Sequence, residues 1–241
     1  NPMLAECDIL PVCEYLVSPG GTYEIYENAP GCDSPDEVEE ACATCLPEGI
    51  TFTVQQQVES FQINYPVCTE IEGNVTIDDM YPASIYNLCG LSVLTSIGGT
   101  LYIGDNPALP NLTGLEGLTE IEGSLHISGN ANLYSLIGLE SLTSIGGSLQ
   151  LEDNPVLISL AGLDSLVEVE GDLSISFNND LVNLTGLNSL NSIGSSIGIT
   201  SNQNLNNLNG LENLTFIGED IGIFFNSSLS SLIGLNNICN I

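Results

Sequence analysis

The chain has 241 residues, with no Lys, no Arg, one His and 31 acidic residues, for a formal net charge of −31. No side chain can neutralise phosphate, which excludes nucleic acid and anionic membrane surfaces as partners, and acid–base pairing within the chain is all but unavailable. At 43% hydrophobic and only 13% charged, this is the composition of a protein with a core, not of a disordered polyacid.

Residues 1–44 hold four of the eight cysteines, Cys7, Cys13, Cys32 and Cys42, and six of the eight lie within residues 7–68. That density points to an oxidising, extracellular setting. The four admit three pairings, with pairing inside the segment preferred. A short helix is expected over Asp8–Leu16. A second is signalled by Ser34-Pro35-Asp36-Glu37: Ser caps the start, Pro suits the first helical position, and Glu three residues on closes a capping box. The words "NPMLAEC" and "YEIYENAP" are in phase with "NPALPNL" and "LYIGDNPA" further along, placing Asn28 in an asparagine column and making Asn1–Asn28 one coil. Residues 1–44 thus read as the closing cap of a preceding solenoid.

Residues 45–73 open a new unit, a capping helix and first strand. Thr53-Val54-Gln55-Gln56 is a capping-box pattern, and Val54, Val58, Phe61 and Tyr65 fit one face of a helical lid. Cys45 and Cys68 flank the lid and are expected to pair. Closing that loop contributes about 3 kcal/mol through the unfolded chain.

From residue 74 to 241 one pattern returns every 24 residues. Gly90, Gly114, Gly138, Gly162, Gly186, Gly210 and Gly234 are each followed by Leu, and Asn106, Asn130, Asn154, Asn178, Asn202 and Asn226 keep the same period. Fixed self-similarity at this length marks a solenoid. Leu101 and Ile103 are two apart and share one side of a short strand. Leu109, Leu112, Leu115, Leu118 and Ile121 then follow at a strict step of three. A helix would mix threes and fours; a coil that turns one side chain inward at each bend would not. Each unit reads as one coil of a β-solenoid, about 4.8 Å from the next. The asparagines form either a ladder of stacked amides or a column of turn residues without one.

One turn alternates between two spellings: "EIEG" at 70–73 and 120–123 with "EVEG" at 168–171, against "SIGG" at 96–99 and 144–147 with "SIGS" at 192–195. Stacked acids would repel by roughly 0.9 kcal/mol per pair in water. The alternation is either avoidance of that stacking or a row of calcium sites. No other cofactor or metal is suggested.

The phrase "LTSIGGTLYIGDNPALPNLTGLEGLTEIEGSLHISGN" (94–130) resembles the leucine-rich repeats of the receptor L-domain family, closest in wording to surface proteins of Bacteroidota. The resemblance covers 45–241 as repeat and cap, with 1–44 as companion cap. It implies a β-rich, right-handed β-helix of 24-residue coils with disulfide-bonded caps containing short helices. It further implies a cell-surface protein exported by the type IX system, a giant adhesin or filament acting in attachment, gliding or capture of other cells.

Chemistry-bearing candidates are few. His126, the one imidazole, lies on the outward strand column with Tyr102, Gln150, Ser174, Gly198 and Gly222. No nucleophile is tied to it by a motif, so the chain is expected not to be an enzyme. That column is the candidate ligand surface, with Tyr102, His126, Gln150 and Phe224 as contact residues for a glycan or peptide. Alternatively, its glycines admit another part of the molecule. Sequons occur at Asn74, Asn111, Asn183, Asn213 and Asn226, and Asp164-Ser165-Leu166 resembles a Bacteroidota O-glycan site. Cys89, read as a semi-buried thiol, and Cys239 are left over and lie too many coils apart to pair with each other; a partner for Cys239 is sought in sequence beyond Ile241. No apolar run approaches membrane-spanning length. The chain starts at the asparagine position of one coil and stops at inward Ile241. It therefore reads as one frame of a tandem series, with neighbouring copies or modules of the same protein as partners, and with surface glycans or proteins of other cells beyond them.

Overall fold

The computed structural model describes residues 24–25, 28, 32–80 and 84–238. The helix expected over Asp8–Leu16, most of the first coil, and Cys7, Cys13 and Cys239 lie outside the described residues.

Among the described residues, two parallel eight-stranded sheets run from residue 44 to residue 224, and each coil contributes one strand to each. The longer sheet holds β2 (Ile50–Phe52), β4 (Val75–Asp78), β6 (Leu101–Gly104), β8 (Leu125–Ser128), β10 (Leu149–Glu152), β12 (Leu173–Ser176), β14 (Ile197–Thr200) and β16 (Ile221–Phe224). The shorter holds two-residue strands: β1 (Thr44–Cys45), β3 (Glu70–Ile71), β5 (Ser96–Ile97), β7 (Glu120–Ile121), β9 (Ser144–Ile145), β11 (Glu168–Val169), β13 (Ser192–Ile193) and β15 (Phe216–Ile217). The result is a parallel β-solenoid of about seven coils. The second sheet corrects the sequence reading, which took the "EIEG" and "SIGG" phrases as turns alone.

Register follows the repeat. Leu101 faces Leu125 and Ile103 faces Ile127, and the same 24-residue offset recurs up to the pairing of Ile197 with Ile221. Leu109, Leu112, Leu115, Leu118 and Ile121 are all buried in one continuous apolar core. The six glycines from Gly114 to Gly234 that precede a buried or half-buried Leu have φ between 114° and 118°. A Cβ on Gly162 would fall 2.1 Å from the Leu136 carbonyl oxygen of the coil below. The Gly-Leu step is thus required both by backbone conformation and by close approach of coils.

Two side-chain ladders run parallel to the sheets. In the first, Asn106, Asn130, Asn154, Asn178 and Asn202 are fully buried. Asn154 Nδ2 donates to the Ile127 and Glu152 carbonyls (3.0 Å each) and to Asn178 Oδ1 (3.3 Å), while its backbone N–H donates to the same Oδ1 (3.1 Å). The ladder begins at Asn106, whose buried Oδ1 has no donor. In the second ladder, each short polar side chain accepts the backbone N–H of its counterpart one coil on: Asn74 from Thr100, Thr100 from Ser124, Ser124 from Ser148, Ser148 from Asp172, Asp172 from Ser196, and Ser196 from Asp220.

Among the described residues, three helices precede or interrupt the first coils: α1 (Pro35–Ala43), α2 (Gln55–Glu59) and α3 (Phe61–Asn64). At the start of α1, Glu37 N–H donates to Ser34 Oγ (3.2 Å) and Asp33 N–H to Glu37 Oε2 (2.8 Å). Val38 and Cys42 pack with Ile25 and Val67 in a small cluster apart from the main core. Val58 and Phe61 are buried in the main core, and Tyr65 packs against it. The cap of α2 differs from expectation. Val54 is the N-cap residue, and Gln57, not Gln56, reaches back to accept from the N–H groups of Thr53 (2.6 Å) and Val54 (3.3 Å). The Thr53 hydroxyl is spent on that same amide oxygen and caps nothing. Asn28 bonds within its own turn, donating to Asp33 Oδ1 and the Cys32 carbonyl.

Cys45 and Cys68 are joined by a disulfide, with Cα atoms 5.6 Å apart. Cys32 and Cys42 each take part in a disulfide. Cys89 is free and exposed rather than semi-buried, at the start of a 3₁₀ turn over Cys89–Leu91.

Candidate binding face on the longer sheet

Pleating turns alternate residues of the longer sheet outward. Register then lines up Thr51, Thr76, Tyr102, His126, Gln150, Ser174, Gly198 and Gly222 in one outward column. Two strand positions on, a second outward column contains Gly104, Ser128, Glu152, Ser176, Thr200 and Phe224.

The candidate contact residues fall into two separate patches. Tyr102 and His126 touch edge to face, with ring centroids 5.1 Å apart and planes at 82°. The Tyr102 ring folds over Gly104, and Ser128 Oγ donates to Tyr102 Oη (3.3 Å). His126 is half-buried, and its Nε2 is buried without a partner. Gln150 is the next residue up the column. Phe224 stands on the second column, five coils and about 24 Å from Tyr102, so it shares no pocket with that residue.

The far patch has a different character. A Cβ on Gly198 would meet nothing within 4 Å, so no other part of the described chain approaches that glycine. The Phe224 ring lies against Gly222. Phe177 and Phe225, each 24-residue counterparts of Asp153 and Ser201, hold φ of 57° and are exposed, Phe225 by 83%. Every coil from the Asp105 position onward needs this left-handed residue, and Asp, Gly or Ser fills it at lower cost elsewhere. Ser174, Gly198 and Gly222 floor a shallow groove edged by Asp172, Glu219 and Asp220. Such a groove offers hydrogen-bond acceptors and a bare peptide surface, and its carboxylates repel anions.

On the shorter sheet, Glu70, Ser96, Glu120, Ser144, Glu168 and Ser192 lie in register, so an acid is never stacked on an acid. A Cβ on Gly146 would fall 2.3 Å from the Glu122 carbonyl oxygen, giving the alternation a steric component that sequence reading missed. Among the described residues, no group of three or more His, Cys, Asp or Glu is placed to hold a metal ion. At the head of the longer sheet, burial, then the charges of Asp105 and Asp79, push the Asp78 carboxyl above the ordinary carboxylate range.

No family model, curated protein or solved structure matches the chain. The sequons sit variously: Asn74 and Asn213 are exposed, Asn111 and Asn183 half-buried with Oδ1 accepting the N–H two residues on, and Asn226 belongs to the asparagine ladder. No helix among the described residues is long and apolar enough to cross a membrane.

Proposed function

We propose that the chain is a non-catalytic, extracellular repeat module of a large bacterial surface adhesin or filament, acting in attachment, gliding or capture of other cells. In this reading the coils are leucine-rich repeats of receptor L-domain type, and α1 to α3 belong to disulfide-bonded caps. Secretion by a Bacteroidota-like type IX route fits the wording of the repeat. The observation that carries the reading is the double ladder. Two columns of polar side chains tie each coil only to its neighbours, a rigid section that can be lengthened without redesign. Antibody labelling of intact producing cells, with adhesion assays on cells lacking the gene, tests it. Surface labelling and loss of adhesion are expected; labelling only after permeabilisation would overturn the reading.

A second reading is favoured by Gly198, a strand glycine that nothing in the described chain requires. Here the outward face binds a neutral glycan or a peptide, with Tyr102, His126 and Gln150 at one patch and Phe224 at the other. Substitutions at these four positions that abolish binding to a glycan or peptide array, with melting unchanged, would favour this reading. Binding unaffected by all four would exclude it.

A further inference from the structure

Between its longer strand and its return to the shorter sheet each coil has a third side, and there too the coils are in register. Tyr134 N–H donates to the Pro110 carbonyl (3.1 Å) and Ile158 N–H to that of Tyr134 (3.3 Å), while the N–H groups of Leu112 and Leu136 donate to the Ile137 and Ala161 carbonyls (2.8 and 3.1 Å). Tyr134, Ile158 and Val182 thus form one column at the repeat period, with Ile137 and Ala161 in the column beside it. Tyr134, Ile137, Ile158 and Val182 are exposed by 45, 43, 54 and 41%, although each of their coils lies between two others. Residues 106–115, 130–139 and 154–163 contain no charged side chain, in a protein of net charge −31. A contiguous apolar strip on so acidic a surface marks an interaction site.

The edge of the strip says what kind of partner it takes. Glu116, Glu140 and Asp164 run along it, exposed and stacked on three successive coils, the arrangement that the alternation of Glu and Ser on the shorter sheet avoids. Each carboxylate is held in place by the N–H of Gly114, Gly138 or Gly162 (2.9, 2.9 and 3.1 Å). That hydrogen bond does not call for a charge. One coil on, Asn188 Oδ1 accepts from Gly186 N–H (3.3 Å), before the acid returns at Glu212. Repulsion along the stack meets no Lys or Arg within the chain.

We propose that this strip is a docking surface for a polypeptide partner whose contact face is apolar at its centre and carries Lys or Arg along one edge. Tyr134, Ile137, Ile158 and Val182 supply the area taken out of water. The fixed carboxylates supply charge-assisted acceptors that need no reordering on binding. A second copy of this chain brings no Lys or Arg to that edge, so it would oppose the stack with neutral or acidic groups. A neutral glycan or lipid surface would leave the stack unopposed. The strip is separate from the outward columns of the longer sheet, so binding here is independent of either reading above.

Fluorescence titration of the full chain with a short amphipathic Leu/Lys helical peptide bearing one Trp tests it, because the chain has no Trp of its own. Saturable one-to-one binding is expected at about 0.15 M salt. Tyr134→Ser with Ile158→Ser, and separately Glu116→Gln with Glu140→Gln and Asp164→Asn, should each weaken it by at least about tenfold. Thermal melts should show both variants folded, since the serines replace exposed side chains and the amides keep an acceptor for the glycine N–H. Glu70→Gln with Glu120→Gln and Glu168→Gln removes as many charges from the shorter sheet and should change affinity by less than about twofold. Absence of saturable binding would overturn the proposal, as would affinity untouched by the serines or by the edge amides. Equal weakening by the shorter-sheet variant would overturn it too, because attraction would then follow net charge alone. So would equal binding of a Leu/Glu peptide, leaving any apolar surface as occupant, or sedimentation showing the native chain dimerise through the strip, making a second copy the occupant.

Discussion

Asn130 gives both its backbone N–H and its Nδ2 to a single atom, Asn154 Oδ1, at 3.2 Å each. Asn154 then does the same to Asn178. One amide oxygen per coil accepts from the coil below all the way from Asn106 to Asn226: it takes both the backbone N–H and Nδ2 at every step but one, and Asn202 Oδ1 takes the Asn178 backbone N–H alone (3.0 Å).

Replacing Asn154 by Leu removes that oxygen and the Nδ2 bonds to Ile127 and Glu152. Each buried group left without a partner costs about 1–3 kcal/mol, so a loss of at least about 3 kcal/mol is expected in urea melts. Gln150→Ala, four residues earlier on the outward face, should change stability by less than about 0.5 kcal/mol. Equal effects would mean that the ladder does not carry the coil.

Two glycines separate structural need from free surface. Gly162 has φ of 114° and the Leu136 carbonyl oxygen against it, so Gly162→Ala should destabilise by at least about 2 kcal/mol. Gly198 has open space and no positive φ. Gly198→Ala should therefore stabilise by about 0.4–1 kcal/mol, because the unfolded chain loses freedom that the folded one never used. Chemical denaturation of the two variants side by side is the check.

Acid should favour the fold at Asp78. Its carboxyl is held above the ordinary range in the folded chain, first by burial and then by Asp105 and Asp79, so the folded state holds that proton more tightly than the unfolded state does. The resulting stability is present in full below the unfolded value near 3.8 and is lost as pH rises through the raised folded value. Asp78→Asn should raise Tm at neutral pH, and the gain should disappear as pH falls to about 3. Thermal melts of both proteins across that range decide it.

A carboxylate placed at Ser144 would sit between Glu120 and Glu168 on the shorter sheet. At strand spacing the two new repulsions amount to about 0.9 kcal/mol each in water. Ser144→Glu should lower Tm at low ionic strength, and salt near 1 M should restore most of the loss, since screening there acts over about 3 Å. If calcium restored it at matched ionic strength, the row would be a cation site instead.

Opening the Cys45–Cys68 link should cost about 3 kcal/mol, from the chain length between the two residues. Cys45→Ala with Cys68→Ala, melted beside the native chain, gives the measurement.

Much of this architecture was legible because a repeat prints each structural column as a column of letters. Leu109, Leu112 and Leu115 showed their step of three, and the asparagines their period, before any geometry was known. What stayed hidden had no such signature. A two-residue strand such as Ser144–Ile145 is too short to show alternation. The second ladder escaped because Asn74, Thr100, Ser124 and Asp172 perform one task, accepting an N–H, under four different names. Adjacent glutamines made Gln56 and Gln57 indistinguishable as the residue reaching back over α2. Phe224 was grouped with Tyr102 because both face outward, a property that strand alternation reveals, whereas their separation into different columns depends on register.

The stacking of coils has a mechanical corollary. Each coil takes up about 4.8 Å of axis yet contains 24 residues, which extend to roughly 80 Å when pulled straight. Tension along the axis would load the hydrogen bonds between coils one rung at a time, peeling the array from its outermost strands. Every rung that yields would release more than ten times the length it occupied. The Cys45–Cys68 disulfide sets the limit at the other end, because the chain it encloses cannot be drawn out while the bond holds. Under load such a module is a ratcheting shock absorber with a fixed stop.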